Sequence, residues 1–213
     1  MSAAPGAGAH PHWPLPGAAR LRDELLAAWG ATDRGYHDRR HLAEVLARLD
    51  ELADAGEPFD PVTVPLAAWF HDAVYARGAD DEARSAAWAK RALTDLGREG
   101  PGTGGAAEVA RLVLLTAAHA PRPDDTDGAA LCDADLAVLA STPRRYAEYA
   151  ADVRAEWAHV SDADFAAGRA AVLRDLVARP VLFTTSHARR TWERTARANV
   201  AAELARLARP GPA

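Results

Sequence analysis

The chain has 213 residues, 49% of them hydrophobic and 26% charged, which is enough for one domain to bury a core without disulfides. Its net charge of -5 at pH 7 argues against binding of duplex nucleic acid through the overall field of the protein. The single cysteine, Cys132, excludes an intramolecular disulfide, and we expect a cytoplasmic protein. No stretch reaches the roughly 18 consecutive apolar residues of a membrane span, so no membrane association is expected.

Residues 1–17 are rich in Ala, Gly and Pro without apolar periodicity, and they predict a flexible tail. From residue 18 to residue 213 the apolar residues repeat with the period of an α-helix, which predicts one all-α helical bundle. The expected helices span 18–29, 36–53, 63–77, 80–96, 106–119, 131–140, 143–159, 164–178 and 185–207.

Two histidines lie on the apolar face of the second predicted helix. His41 precedes Val45 by four residues and Leu49 by eight, and His37 lies one turn earlier. A polar side chain on a buried face needs a partner. That partner is either a metal ion or a backbone carbonyl, and the pattern leaves both open.

His71 and Asp72 directly follow the apolar run 66–70. Neighbours on a helix diverge by about 100°, so the two side chains can flank one pocket. An ionised Asp72 inside an apolar helix is costly unless it is paired or coordinated. An adjacent His-Asp pair also occurs by chance, but this position favours a metal site.

Asp133 and Asp135 are two residues apart, about 200° around a helix, so they cannot both face one site. Asp135 lies four residues after Leu131 and four before Leu139, on the apolar face, and is the preferred ligand. Asp133, near the predicted helix start, is the alternative if the register differs.

Together, His41, His71, Asp72 and Asp135 form a set of two imidazoles and two carboxylates from three helices. His119, at the end of another helix, is either a further ligand or a residue favoured by the helix dipole. Mixed nitrogen and oxygen ligation suits a borderline divalent ion such as Mn²⁺, Co²⁺, Ni²⁺, Fe²⁺ or Zn²⁺, and Mg²⁺ is a further candidate.

Several strings around these residues form a combined pattern. They are Arg34-Gly-Tyr-His-Asp-Arg-Arg-His41, Ala68-Trp-Phe-His-Asp-Ala-Val-Tyr75, Asp81-Glu82 with Ser85-Ala86, Thr116-Ala-Ala-His119, Asp133-Ala-Asp-Leu136 and Arg197-Ala-Asn199. In combination they resemble the HD superfamily of metal-dependent phosphohydrolases, and more closely a bacterial subgroup of predicted HD phosphohydrolases. The likeness covers nearly all of the chain after residue 17.

The resemblance implies an HD-type bundle in which the four ligands hold a divalent metal ion. It also implies that a metal-activated water cleaves a phosphate ester of a small molecule, with nucleotides among the candidates. Asp81 and Glu82 are candidate general bases, with Asp72 as a catalytic ligand. The candidate phosphate contacts are Arg34, His37 and Arg154.

Two other functions fit the same residues. Some HD-type sites hold two irons and act as oxygenases, and His119 with His37 could complete a second metal position. A non-catalytic helical binding or regulatory module is the third hypothesis. The sequence does not indicate an oligomeric state.

Overall fold

The structure is a computed structural model that describes residues 12–100 and 102–209. Within these ranges every regular element is helical, which confirms the predicted all-α fold. The helices are α1 Ala19–Trp29, α2 Arg39–Asp54, α3 Thr63–Phe70, α4 Asp81–Asp95, α5 Ala106–Leu115, α6 Thr126–Leu136, α7 Pro143–Glu156, α8 Asp162–Ala178, α9 Ser186–Thr191 and α10 Glu193–Leu207, with a 3₁₀ turn at Ala137–Ala140. In the described part of the chain, no helix is long and apolar enough to cross a membrane.

Helix α3 lies at the centre of the bundle. All of its residues except Pro65 are buried, and it packs against α2, α4, α5 and α6. A helix that is apolar on all sides must be enclosed by other elements. The residues that follow α3 therefore emerge in the middle of the molecule, and these residues are His71 and Asp72.

Helix α3 is shorter than predicted, because it ends at Phe70 and not near Arg77. The amide of His71 still donates to the carbonyl of Ala67 at 2.9 Å, and after His71 the backbone hydrogen-bonds to side chains of other segments instead of continuing the helical ladder. Arg34 donates to two carbonyl oxygens of this segment and Asp81 accepts from two of its amides, at distances of 2.7 to 3.0 Å. His71 therefore caps the helix with helical backbone angles, and Asp72 lies in the turn that follows.

Capping residues set other helix starts that the apolar pattern misplaced. The carboxylate of Asp38 accepts from the amides of Arg40 and His41 at 2.8 and 3.2 Å, so α2 begins three residues later than predicted. Asp125 accepts from the amide of Gly128 at 2.9 Å, so α6 begins before residue 131. The single helix predicted over 185–207 is divided into α9 and α10.

The sequence predicts a flexible tail over residues 1–17, and the structure packs residues 12–17 against the bundle. Trp13 packs edge-on against Trp69 with 5.0 Å between ring centroids, and the Trp69 indole donates to the carbonyl of His12 at 3.1 Å. Leu15 is 3% exposed. Because residues 12–17 are not helical, their apolar residues do not repeat with a helical period. The sequence pattern therefore does not indicate that this segment packs on the bundle. Residues 1–11 lie outside the described part of the chain.

Candidate metal centre

The structure brings together the four residues that the sequence proposed as ligands. The two histidine Nε2 atoms are 3.2 Å apart, and Asp135 Oδ1 lies 3.1 Å from that of His41 and 3.5 Å from that of His71. Asp72 Oδ2 lies 3.2 Å from His71 Nε2 and 3.8 Å from His41 Nε2. Both histidines are at most 2% exposed. These donor atoms converge from α2, the turn after α3, and α6.

The spacing of these atoms fits a single divalent ion. Metal–ligand bonds of about 2.1 Å place neighbouring ligand atoms about 3.0 Å apart in octahedral and about 3.4 Å apart in tetrahedral geometry. The separations of 3.1 to 3.8 Å lie close to these values. His41, His71 and Asp72 form a group that could hold a metal ion. The residues present therefore fit the expected metal.

The electrostatics of the cluster favour a positive charge at this point. Burial by itself would lower the pKa of His71, but Asp72 and Asp135 raise it well above its ordinary value. Burial would raise the pKa of Asp135, but His71 and its other imidazole partners hold it well below its ordinary value. The His71 Nδ1–H donates to the carbonyl of Ala68 at 2.8 Å, so its Nε2 is the atom that faces the cluster.

Asp133 and Asp135 face opposite sides of α6. Asp133 is 1% exposed and its carboxylate accepts from the amides of Thr184 and Thr185 at 2.8 and 2.7 Å. Burial raises the pKa of Asp133 to about 6. Asp133 thus ties α6 to the segment before α9, while Asp135 Oδ1 lies 3.1 Å from His41 Nε2 and 3.5 Å from His71 Nε2.

His119 contacts the cluster through Asp135. Its Nε2 lies 2.7 Å from Asp135 Oδ2, the oxygen that His41 does not contact. His119 has a φ of 47°, in the left-handed region that costs energy for a residue with a Cβ. Arg179 holds this turn by donating to the carbonyls of His119 and Ala118 at 2.8 and 3.0 Å. A strained backbone conformation that neighbouring groups hold in place is typical of a functional position.

A buried carboxylate, Glu156, organises the segment next to the cluster, and our sequence reasoning missed it. Its Oε1 accepts from the amides of three consecutive residues, Gly35, Tyr36 and His37, at 2.9 to 3.0 Å. Its Oε2 accepts from the Tyr75 hydroxyl at 2.9 Å. The sequence signal that could have identified Glu156 was its position on the apolar face of α7.

Glu156 also orients His37. The His37 Nδ1 lies 2.8 Å from Glu156 Oε2, and the Tyr75 ring stacks on the imidazole with 4.3 Å between centroids. Burial would raise the pKa of Glu156, but the hydrogen bond from His37 helps to lower it to about 2. The other ring nitrogen of His37, Nε2, lies 4.0 Å from Asp72 Oδ2. His37 is therefore held by a carboxylate at the edge of the metal cluster.

The two predicted arginines make internal contacts. Arg34 donates to the carbonyl oxygens of His37, Asp72 and Ala73 at 2.7 to 3.0 Å, so it fixes two cluster segments relative to each other. Arg154 donates to Asp162 and to two carbonyl groups at the end of α7. Neither arginine lines the cleft beside the cluster. Their guanidinium groups support the fold in this structure.

The cluster of candidate metal ligands borders a cleft of about 870 Å³. His37, Asp72, His119 and Asp135 lie along one side of the cleft, and Val153, Trp157, Val172 and Leu176 form an apolar wall. Of the two predicted bases, Asp81 is engaged by backbone amides. Glu82 lines the cleft and has no hydrogen-bond partner among the described residues. Glu82 is thus the freer of the two acids.

Known proteins give no match to this chain. It matches no protein-family model, no curated protein and no solved structure. The resemblance to HD phosphohydrolases therefore stays an expectation from the residue strings. The structure itself contributes a buried His/Asp group that is compatible with metal binding, next to a large cleft.

Proposed function

We propose that this protein is an HD-type, metal-dependent phosphohydrolase acting on a phosphate ester of a small molecule. The observation that carries the proposal is the cluster of His41, His71, Asp72 and Asp135, in which the two buried histidine Nε2 atoms lie 3.1 to 3.8 Å from the facing carboxylate oxygens. The cluster borders the 870 Å³ cleft, so a ligand there can reach it.

In this proposal the four residues of the cluster hold a divalent ion. Such an ion, when bound, lowers the pKa of a coordinated water and polarises the phosphoryl group. Glu82, free in the same cleft, is the proposed acceptor of the proton from the attacking water.

His37 is the proposed hydrogen-bond donor to a phosphoryl or leaving-group oxygen. Burial would lower the pKa of His37, but its hydrogen bond to Glu156 and the nearby Asp72 raise the pKa. The raised pKa increases the protonated share of His37 at a given pH, and in that form its Nε2 can donate a proton to an anionic oxygen. Glu156 is a positioning residue in this scheme, because it contacts His37 and not the ligand.

The cleft supports a substrate with both a charged and an apolar part. Small-molecule sites usually measure about 300–1,000 Å³ and combine apolar walls with a few polar groups. This cleft has that size and that distribution, with Trp157 offering a flat aromatic surface. A nucleotide or a similar metabolite fits these requirements.

The proposal is tested by metal analysis followed by a substrate screen. Protein purified without chelator is analysed for metals, stripped, reloaded with Mn²⁺, Co²⁺ or Ni²⁺, and offered phosphate monoesters and diesters. We expect Asp72→Asn to lower metal content and turnover at least about a hundredfold, while Asp133→Asn, its matched control on α6, keeps both. A metal-loaded protein that hydrolyses no ester would contradict the hydrolase part alone.

A second candidate is a di-iron oxygenase. The two oxygens of Asp135 point to different imidazoles, with Oδ1 3.1 Å from His41 and Oδ2 2.7 Å from His119, as a bridging carboxylate would require. Two irons per chain and O₂-dependent turnover would favour it, and His119→Ala should then reduce the iron content to one. Bound metal without either activity would leave the non-catalytic binding module.

A further inference from the structure

A second, smaller cavity of about 220 Å³ adjoins the metal cluster. It shares Asp135 and Val138 with the cleft, but its other walls come from Tyr36, α2, Ala134 of α6, Ser141 and the start of α7. His41 also lines it. The proposed hydrolytic chemistry uses the cleft and gives this cavity no role.

The cavity contains an excess of buried polar atoms without partners. Three of the five buried side-chain nitrogen and oxygen atoms that lack a hydrogen-bond partner in the described residues line it: the Tyr36 hydroxyl, Ser141 Oγ and Arg145 Nη1. Tyr36 is 5% exposed and Ser141 is 9% exposed. Buried polar groups without partners are rare, because losing hydration without a new hydrogen bond is unfavourable. Three such atoms around one cavity point to a ligand that pairs with them.

The unused hydrogen-bonding groups of the cavity are two hydroxyls, which can donate or accept, and one guanidinium N–H, which can only donate. The carboxylate of Glu44 accepts from Arg145 Nε and Nη2 at 2.6 and 2.8 Å. The carboxylate of Glu51 accepts from Arg48 and from the Trp192 indole. The acceptors in the wall are thus engaged, whereas two hydroxyls and a guanidinium N–H are free to donate. A ligand rich in acceptor atoms satisfies these groups.

We infer that this cavity is a binding site for a small oxyanion of the orthophosphate class, held by Tyr36, Ser141 and Arg145. Arginine and hydroxyl donors suit the tetrahedral oxygens of such an anion. The inferred site does not depend on the proposed hydrolase activity, because it is a separate cavity with its own donors, whereas the coupling of this cavity to the cluster rests on the proposed metal site.

The charges in the wall couple this site to the metal cluster. The lining holds three carboxylates, Glu44, Glu51 and Asp135, and two guanidinium groups, Arg48 and Arg145. A divalent cation beside Asp135 reverses this negative balance. Orthophosphate should therefore bind more tightly to the metal-loaded chain than to the metal-free chain.

The test is a calorimetric titration of the full chain, with and without Mn²⁺, using orthophosphate as the probe. The double variant Tyr36→Phe/Ser141→Ala removes the two free hydroxyls and keeps the Tyr36 ring. We expect it to bind orthophosphate at least about tenfold more weakly than the parent. The matched control is Tyr146→Phe, whose hydroxyl donates to Glu203 at 2.6 Å outside the cavity. This variant should bind like the parent.

Two results would overturn the inference. One is the absence of orthophosphate binding to the parent, which would mean that the three donors hydrogen-bond only to water. The other is equal binding by the parent and the double variant, which would place the anion at the metal cluster or in the cleft. If the double variant does not fold, the single variants Tyr36→Phe and Ser141→Ala decide, and each must weaken binding.

Discussion

Replacing Glu156 with glutamine removes one buried negative charge and keeps the shape of the side chain. The carboxylate accepts from three backbone amides of residues 35–37, contacts His37 Nδ1 and accepts from the Tyr75 hydroxyl. Glutamine can accept from the amides through its carbonyl oxygen. It cannot form the ion pair with His37. Glu156→Gln therefore isolates the contribution of the charge.

The magnitude follows from the pKa of Glu156, which falls from 4.5 to about 2 on folding. Such a change corresponds to about 3 kcal/mol of stability at neutral pH, and solvent screening reduces this to about 2 kcal/mol. Because the folded pKa is lowered, this stability is present above pH 4.5 and is lost as the pH falls through about 2. At pH 3.5 about 1 kcal/mol of it should already be gone.

Urea unfolding of the parent and of Glu156→Gln at pH 7 and pH 3.5 measures this effect. The difference in unfolding free energy should be about 2 kcal/mol at pH 7 and about 1 kcal/mol at pH 3.5. Glu148→Gln is the control on the same helix, since Glu148 pairs with Arg40 and Arg144 at the surface, and it should change little. An equal difference at both pH values would show that lost packing is responsible, and would refute the charge argument.

Three further predictions concern the same region and the N-terminal segment. A divalent ion at a hundredfold excess over its Kd should stabilise the parent by about 2.7 kcal/mol, and His71→Ala should abolish this gain in thermal unfolding. Arg34→Met should lower the unfolding free energy by about 3 kcal/mol, because three carbonyl groups lose a charged donor. A loss of unfolding free energy no larger than that of Arg20→Met, a change at an exposed site, would contradict this prediction for Arg34. Trp13→Ala should cost about 2 kcal/mol by removing the contact with Trp69, and an unchanged melting temperature would mean that residues 12–17 do not pack as described.

The residues of the candidate metal cluster could be chosen from the sequence, but their arrangement could not. His41 and Asp135 stand on apolar helix faces, and a polar residue on such a face is a strong local signal. For Asp72 the apolar pattern predicts a position inside a continuous helix, whereas the residue lies in a turn after the end of α3. Helix ends depend on which side chains capture the freed backbone groups. Those side chains, Arg34 and Asp81, come from other segments.

Contacts between distant segments decided the remaining parts of the site. Glu156 reaches residues 35–37 across more than a hundred positions of sequence, and no local pattern marks such a partner. Arg34 and Arg154 suited phosphate by residue type, but in the fold they bind carbonyl groups and Asp162. The cavity beside Asp135 arises only where α2 meets α7.

The sequence by itself determined the helical class and the residues suited to bind a metal, because helical period and buried polarity are local properties. The tertiary structure alone decided where α3 ends, that Asp133 binds the amides of Thr184 and Thr185, and that Glu156 holds His37. Each of these depends on which distant groups satisfy a buried donor, acceptor or charge. That pairing is a property of the packed chain.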